Sequence, residues 1–169
     1  SNRFNKSENI MVGLPEDMRV SISKKFRKKY FGGFLYATTN LYSGNRGIPS
    51  RSGTSDYNKA KFEIELIEDV FKKISNTINY KPYFSKRFTG AQIELEKINK
   101  IKNINLIKNE IDLRYLLKYF KVIITSRATS TIGWCLLSNR PIIYIENLDN
   151  RLSKRAYQEF KKNLFFFDV

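Results

Sequence analysis

The stretch Val122–Glu146 constrains the fold of this chain more than any other. It opens on an apolar, β-branched run, Val122–Thr125, and enters a turn crowded with hydroxyls, Thr125–Thr131 (TSRATST). Helical spacing follows over Thr129–Ser138, with Asn139 as the stop, and then a second apolar run, Pro141–Ile145, ends at Glu146. Short apolar runs rich in β-branched residues and bounded by turn formers predict strands buried on both faces. Such strands belong to parallel sheets, whose crossover helices cover both sides.

The rest of the chain repeats this alternation. Phe34–Thr39 (FLYATT) reads as a strand, followed by a long Ser/Gly/Asn/Arg loop over Asn40–Tyr57 and a helix over Lys59–Ser75. Ser55 or Asp56 is positioned to cap that helix. Its apolar stripe is Phe62, Leu66 and Val70, flanked by Ile67, Phe71 and Ile74, and the pairs Glu68–Lys72 and Asp69–Lys73 suit its outer face. Then come a strand over Asn79–Phe84 that Pro82 cuts short, a helix over Phe88–Ile101, a strand over Ile104–Ile107 and a helix over Asp112–Phe120. Beyond Glu146, Arg151–Lys162 reads as a basic helix and Leu164–Phe167 as a last strand or apolar anchor. The expected fold class is α/β, a Rossmann-like parallel sheet of about five to six strands with helices on both faces. The expected division is a basic tail or linker over 1–33 and a single domain over 34–169.

Composition narrows the chemistry. The chain has 169 residues, enough for one core. No apolar run approaches the roughly 20 residues of a membrane-spanning helix. No secretory signal pattern is recognisable. The chain starts at Ser1 rather than Met, so a fragment lacking an N-terminal partner is expected. It contains no histidine and a single cysteine, Cys135. Histidine-based acid/base catalysis, a Ser-His triad, a Cys/His metal site and an internal disulfide are thereby excluded; no metal is expected. Net charge is +15, with 31 Lys and Arg against 16 Asp and Glu. That field draws anions such as nucleotide phosphates, nucleic acid or an acidic membrane, and equally serves to keep a surface soluble. No nucleic-acid-binding signature accompanies it, so no sequence-specific nucleic-acid partner is expected.

In open α/β sheets ligands bind beyond the carboxyl ends of the strands. Polar residues gather at those ends in this sequence. Thr39, Asn40, Ser43 and Arg46 follow the first strand, and Lys81 and Arg87 lie at and after the second. Ser126, Arg127, Thr129, Ser130 and Thr131 form the turn after Val122–Thr125, and Glu146 closes the next strand. The first N–H groups of a helix have no partner within it, so the turn Thr125–Thr131, with its hydroxyls and Arg127, suits a diphosphate. An ordinary N-cap has the same sequence signature. Glu146 stands where a carboxylate accepts from both hydroxyls of a ribose, or where it is only a solvated loop acid. Trp134 and Cys135 read as core residues. Neither GxGxxG nor GxxxxGK[ST] is present.

The residues Ile111–Asn147 (IDLRYLLKYFKVIITSRATSTIGWCLLSNRPIIYIEN) resemble the C-terminal half of GT-B-type glycosyltransferases. The pattern is nearest to bacterial surface-polysaccharide enzymes, including capsule synthesis proteins and teichoic-acid glycerophosphotransferases. Tyr80–Phe84 (YKPYF) resembles their "KPHP" strand end, with Tyr83 in place of the histidine. Ser126-Arg127 replaces an acidic-tyrosine pair that often precedes the family's serines. The resemblance implies that Ser126–Thr131 hold the donor's phosphates, that Lys81 matches the family's strand lysine, and that Glu146 matches the acid near the nucleotide sugar.

It further implies a nucleotide-diphosphate or CMP-linked donor as substrate, with no covalently bound cofactor. The acceptor site and catalytic base would belong to a missing N-terminal domain. The catalytic residues are thus not assigned, and the chain alone is expected to be inactive. The expected location is cytoplasmic, at most peripheral on the inner face of the membrane. A competing expectation is a non-catalytic basic module that docks a partner or an anionic membrane through Lys24–Lys29 and Arg151–Lys162.

Overall fold

The computed structural model describes residues 32–38, 55–82, 93–107, 112–126, 129–146 and 151–168. The expected basic tail up to residue 31, most of the loop Asn40–Tyr57, and Thr39, Asn40, Ser43, Arg46, Arg87 and Arg127 lie outside these residues. Six strands are described: β1 Phe34–Ala37, β2 Ile78–Lys81, β3 Ile104–Leu106, β4 Val122–Thr125, β5 Ile142–Glu146 and β6 Phe165–Asp168. They form one sheet in the order β3-β2-β1-β4-β5-β6, and every pairing is parallel. The α/β Rossmann-like class read from the alternation of apolar runs is therefore the observed one.

Helices cover both faces. α1 (Asp56–Glu65) continues through a π turn, Leu66–Val70, and a 3-10 turn, Phe71–Lys73. With α2 (Ile93–Ile98) it packs on one face, where Tyr36, Leu66, Ile67, Phe71, Ile78, Tyr80, Ile98 and Ile124 form one core. On the other face lie α3 (Leu113–Leu116, with a 3-10 turn Leu117–Tyr119), α4 (Ser130–Leu137) and α5 (Lys154–Phe160). There Leu35, Leu116, Leu117, Phe120, Ile123, Cys135, Ile142 and Tyr144 form the second core. Neighbours along a strand point to opposite faces; hence Leu35 and Tyr36, or Ile123 and Ile124, serve different cores.

Local chemistry sets the element ends. Ser55 caps α1 by accepting from the Asn58 N–H at 3.1 Å. Asn103 closes the far end of that helix, its amide donating to the carbonyls of Phe71 and Ile74 at 2.8 and 2.7 Å. Asp112 caps α3 and Ser153 caps α5. Asn139, with φ 57°, takes the left-handed conformation that ends α4. At the start of β1 the chain passes so close to its neighbour that a Cβ on Gly33 would lie 2.8 Å from both the Thr77 carbonyl oxygen and the Asn79 amide.

The buried stripe of α1 differs from the expected one. Lys59, Glu63, Ile67 and Phe71 form a row at four-residue spacing, and all are at most 4% exposed. Phe62 and Val70, expected at its centre, are only partly buried. A run of fours drifts around an ordinary 3.6-residue helix, whereas the wider π turn accommodates it. The ion pairs Lys72–Glu68 (3.8 Å) and Lys73–Asp69 (3.7 Å) form on the outer face as expected.

Candidate functional site

The strand order reverses around β1: β2 and β3 lie on one side of it, β4, β5 and β6 on the other. Such a reversal leaves a crevice at the carboxyl ends of the two central strands, because their connections leave in opposite directions. Ala37 and Thr125 are partners in the β1–β4 ladder, so Thr38 and Ser126 are the next residues at the crevice floor. Thr38 is held by its N–H donating to the Lys81 carbonyl at 3.2 Å. Thr125 is fully buried, its hydroxyl donating to the Ala37 carbonyl at 3.3 Å.

The turn beyond β4 leads into α4. Thr129 is the N-cap, its hydroxyl oxygen accepting from the Thr131 N–H at 3.4 Å. Its hydroxyl hydrogen remains available to an incoming acceptor. Thr131 is half-buried in the first turn, and Ser130 opens the helix. Capping and anion contact are chemically compatible in Thr129, because the helix uses its hydroxyl oxygen and not its hydrogen.

The remaining candidates share the sheet edge but not one surface. Ser126 lies on the α1 face, 3.1 Å from the Tyr36 hydroxyl. Lys81 follows Tyr80 in β2 and, by strand alternation, points to the opposite face. Burial holds its ammonium below the usual lysine range, while the charge of Asp112 at the start of α3 opposes that shift. Glu146 is half-buried at the end of β5, where its Oε1 accepts from the Leu152 N–H at 2.7 Å and so fixes the entry to α5. That bond uses one of the roughly four acceptor sites of the carboxylate. The sheet therefore separates Ser126 from Lys81 and Glu146.

Sequence reasoning missed a buried carboxylate beside this edge. Glu63, 2% exposed, accepts from the Tyr36 hydroxyl at 2.8 Å on Oε1 and from the Tyr80 hydroxyl at 2.9 Å on Oε2. Burial first, then the Glu63 charge, pushes the Tyr80 phenol well above the usual tyrosine range. Lys59 and Glu94 are buried too. The signal was present: Lys59 and Glu63 interrupt an otherwise apolar four-residue row, and a charge in a core row demands a partner. By contrast, Trp134 and Cys135 are core residues as expected. Arg114 stacks over the Trp134 ring at 5.2 Å, and burial pushes the Cys135 thiol up to about 12.

Among the described residues no cluster of three or more His, Cys, Asp or Glu could hold a metal ion, and no helix is long and apolar enough to cross a membrane. No protein-family model and no curated protein matches the sequence. Solved structures do match in fold. The glycosyltransferase SnogD from Streptomyces nogalater superposes with a TM-score of 0.54 at 11% identity, over 92% of this chain and 36% of that one. The spinosyn forosaminyltransferase SpnP matches at a TM-score of 0.47 and 11% identity, over 88% of this chain and 34% of that one. The chain thus spans about a third of the length of these neighbours, and shares the fold of the matched part of SnogD.

Proposed function

We propose that this chain is the donor-nucleotide-binding half of a glycosyl- or glycerophosphotransferase of surface-polysaccharide synthesis. The observation that carries this reading is the hydroxyl-bearing turn Ser126–Thr131, which joins a central strand to the start of α4 at the strand-order reversal. The fold shared with part of SnogD supports it. In this reading the N–H groups and hydroxyls of Thr129, Ser130 and Thr131, with Arg127, hold the diphosphate. Lys81 and Glu146 act from the α3–α5 side of the sheet. The acceptor and the catalytic base belong to a separate domain.

Calorimetric titration of the chain with CMP, CDP, UDP and GDP tests the reading. One of them is expected to bind in the micromolar range, and Arg127→Ala to weaken it about tenfold, the usual worth of a charge-assisted phosphate contact. No binding of any nucleotide to a chain with intact circular dichroism rejects the reading.

A specific observation favours a second reading, contact with an anionic membrane. Phe165 and Phe167 lie two apart on the edge strand β6 and are 67% and 51% exposed, and Lys161 and Lys162 precede them. Exposed aromatics beside lysines suit a lipid headgroup layer. Co-sedimentation with phosphatidylserine vesicles at low and moderate salt decides it. Absence of binding at both removes it.

A further inference from the structure

The hydrogen-bond chain Ser126–Tyr36–Glu63–Tyr80 has a direction. A tyrosine hydroxyl carries one hydrogen, and that of Tyr36 goes to Glu63 Oε1 at 2.8 Å. The hydrogen of Tyr80 goes to Oε2 at 2.9 Å. Both oxygens of the ionised carboxylate thus act as acceptors, in bonds that its charge strengthens. Ser126 Oγ lies 3.1 Å from the Tyr36 hydroxyl oxygen, which has no second hydrogen to give. The bond between them exists only if Ser126 donates. Turning the Ser126 hydrogen toward the crevice would set two oxygen lone pairs against each other at that separation. Ser126 is 4% exposed, Tyr36 is fully buried and Glu63 is 2% exposed, so no bulk water relieves that conflict.

We infer that Glu63, through Tyr36, pins the Ser126 hydrogen inward, so that Ser126 presents a lone pair to the crevice and recognises a hydrogen-bond donor of the ligand, not a phosphate oxygen. The inference rests on the nucleotide-binding reading for its ligand class: the donor is a hydroxyl or amino group of the ribose, base or sugar. It reassigns one residue of the hydroxyl-rich turn. Thr129, whose oxygen is engaged by the Thr131 N–H and whose hydrogen is not, is suited to the phosphates; Ser126, oppositely polarised, is not. Glu63 and Tyr36 are positioning residues that act through Ser126.

The test compares two ligands on the full chain: the tightest of CMP, CDP, UDP and GDP, and inorganic pyrophosphate, which offers almost only acceptors. Ser126→Ala is expected to weaken the nucleotide five- to twentyfold, by about the worth of one lost hydrogen bond, and to leave pyrophosphate within about twofold. Tyr36→Phe frees the Ser126 hydrogen, and is expected to weaken the nucleotide while pyrophosphate holds or tightens. A merely structural role would weaken both ligands together. Equal weakening of pyrophosphate and nucleotide in Ser126→Ala overturns the inference. Proton NMR reads the direction without any ligand. A slowly exchanging Ser126 hydroxyl hydrogen with a nuclear Overhauser contact to the Tyr36 ring, lost in Tyr36→Phe, is expected. Its absence in the parent chain overturns the pinning. Failure of every nucleotide to bind with that contact intact rejects the nucleotide reading and the donor preference, and leaves the proton direction standing.

Discussion

The two faces of the sheet solve the problem of buried charge in different ways. On the α1 face the carboxylate of Glu63 is drawn into the core and satisfied by the tyrosines of two adjacent strands, at 2.8 and 2.9 Å. On the α3–α5 face the core is apolar down to Cys135; one buried cation, Lys81, ends β2 near Asp112, and the acids sit at helix starts, Asp112 at α3 and Glu146 ahead of α5. A buried charge needs complete satisfaction, and once satisfied it fixes its partners rigidly. An acid at a helix entrance needs one N–H group and stays adaptable. The face with the interior carboxylate therefore sets the crevice floor, while the other face supplies side chains able to follow a ligand.

The largest expected effect breaks the first arrangement. Glu63→Ala removes the acceptor of two buried hydroxyls, each worth about 1–3 kcal/mol when orphaned. A loss of about 4 kcal/mol in urea unfolding is expected, with the transition still cooperative. Leu116→Ala, at a fully buried position on the apolar face, supplies the reference: about 3 kcal/mol, from a cavity alone. If Glu63→Ala costs less than Leu116→Ala, water enters the α1 face and the contrast between the faces dissolves.

A finer prediction uses neighbours in one strand. Tyr80 and Lys81 are adjacent in β2 and point to opposite faces. In the unfolded chain Tyr80 loses its proton near its ordinary value of 10.0, whereas in the fold it keeps it well above. Above that pH the unfolded chain binds fewer protons, so stability falls as pH rises, by at most about 1.4 kcal/mol for each unit. For Lys81 the sign is reversed. The folded value lies below the ordinary 10.5, so between the two the unfolded chain binds more protons and stability rises with pH. Urea midpoints followed from about pH 8 to 11 test both signs. Tyr80→Phe is expected to flatten the alkaline loss, and Lys81→Met to remove the opposing gain and steepen it. Matching slopes for the two variants would show that the faces do not differ in polarity.

How much of this was legible in the sequence follows from where each signal resides. Strands β4 and β5 were readable because burial on both faces leaves short runs of β-branched and aromatic residues, Val122–Thr125 and Ile142–Ile145. Helix ends were readable where one residue's own chemistry sets them, the side-chain cap of Ser55 and the left-handed backbone of Asn139. The site was legible only as a set of strand ends. Which side of the sheet each residue occupies depends on register and on where a strand stops: one position separates Tyr80 from Lys81. The Glu63 network was hidden because its members lie 27 and 17 residues apart in the chain, and no local pattern pairs them. The wide turn at Leu66–Val70 was hidden for a related reason. It is a tertiary adjustment that keeps Lys59, Glu63, Ile67 and Phe71 in one row, whereas apolar character, at the same spacing of four, centres the stripe on Phe62, Leu66 and Val70, of which only Leu66 is fully buried.

The smallest expected effect concerns the acid on the adaptable face. Glu146→Gln keeps an oxygen able to accept from the Leu152 N–H and removes only the charge assistance of that 2.7 Å bond. Being half-buried, the carboxylate is partly screened by water, so the loss is expected to stay under about 1 kcal/mol. Glu63→Gln, by contrast, places an amide donor against one of two tyrosine donors and is expected to cost more than Glu146→Gln. Both variants are read in the same urea series. If Glu146→Gln proves the costlier, the charge of Glu146 holds the entry to α5, and the α3–α5 face is the rigid one. In that event the crevice would be fixed from the β5 side, and Ser126, across the sheet, would be the group free to adapt.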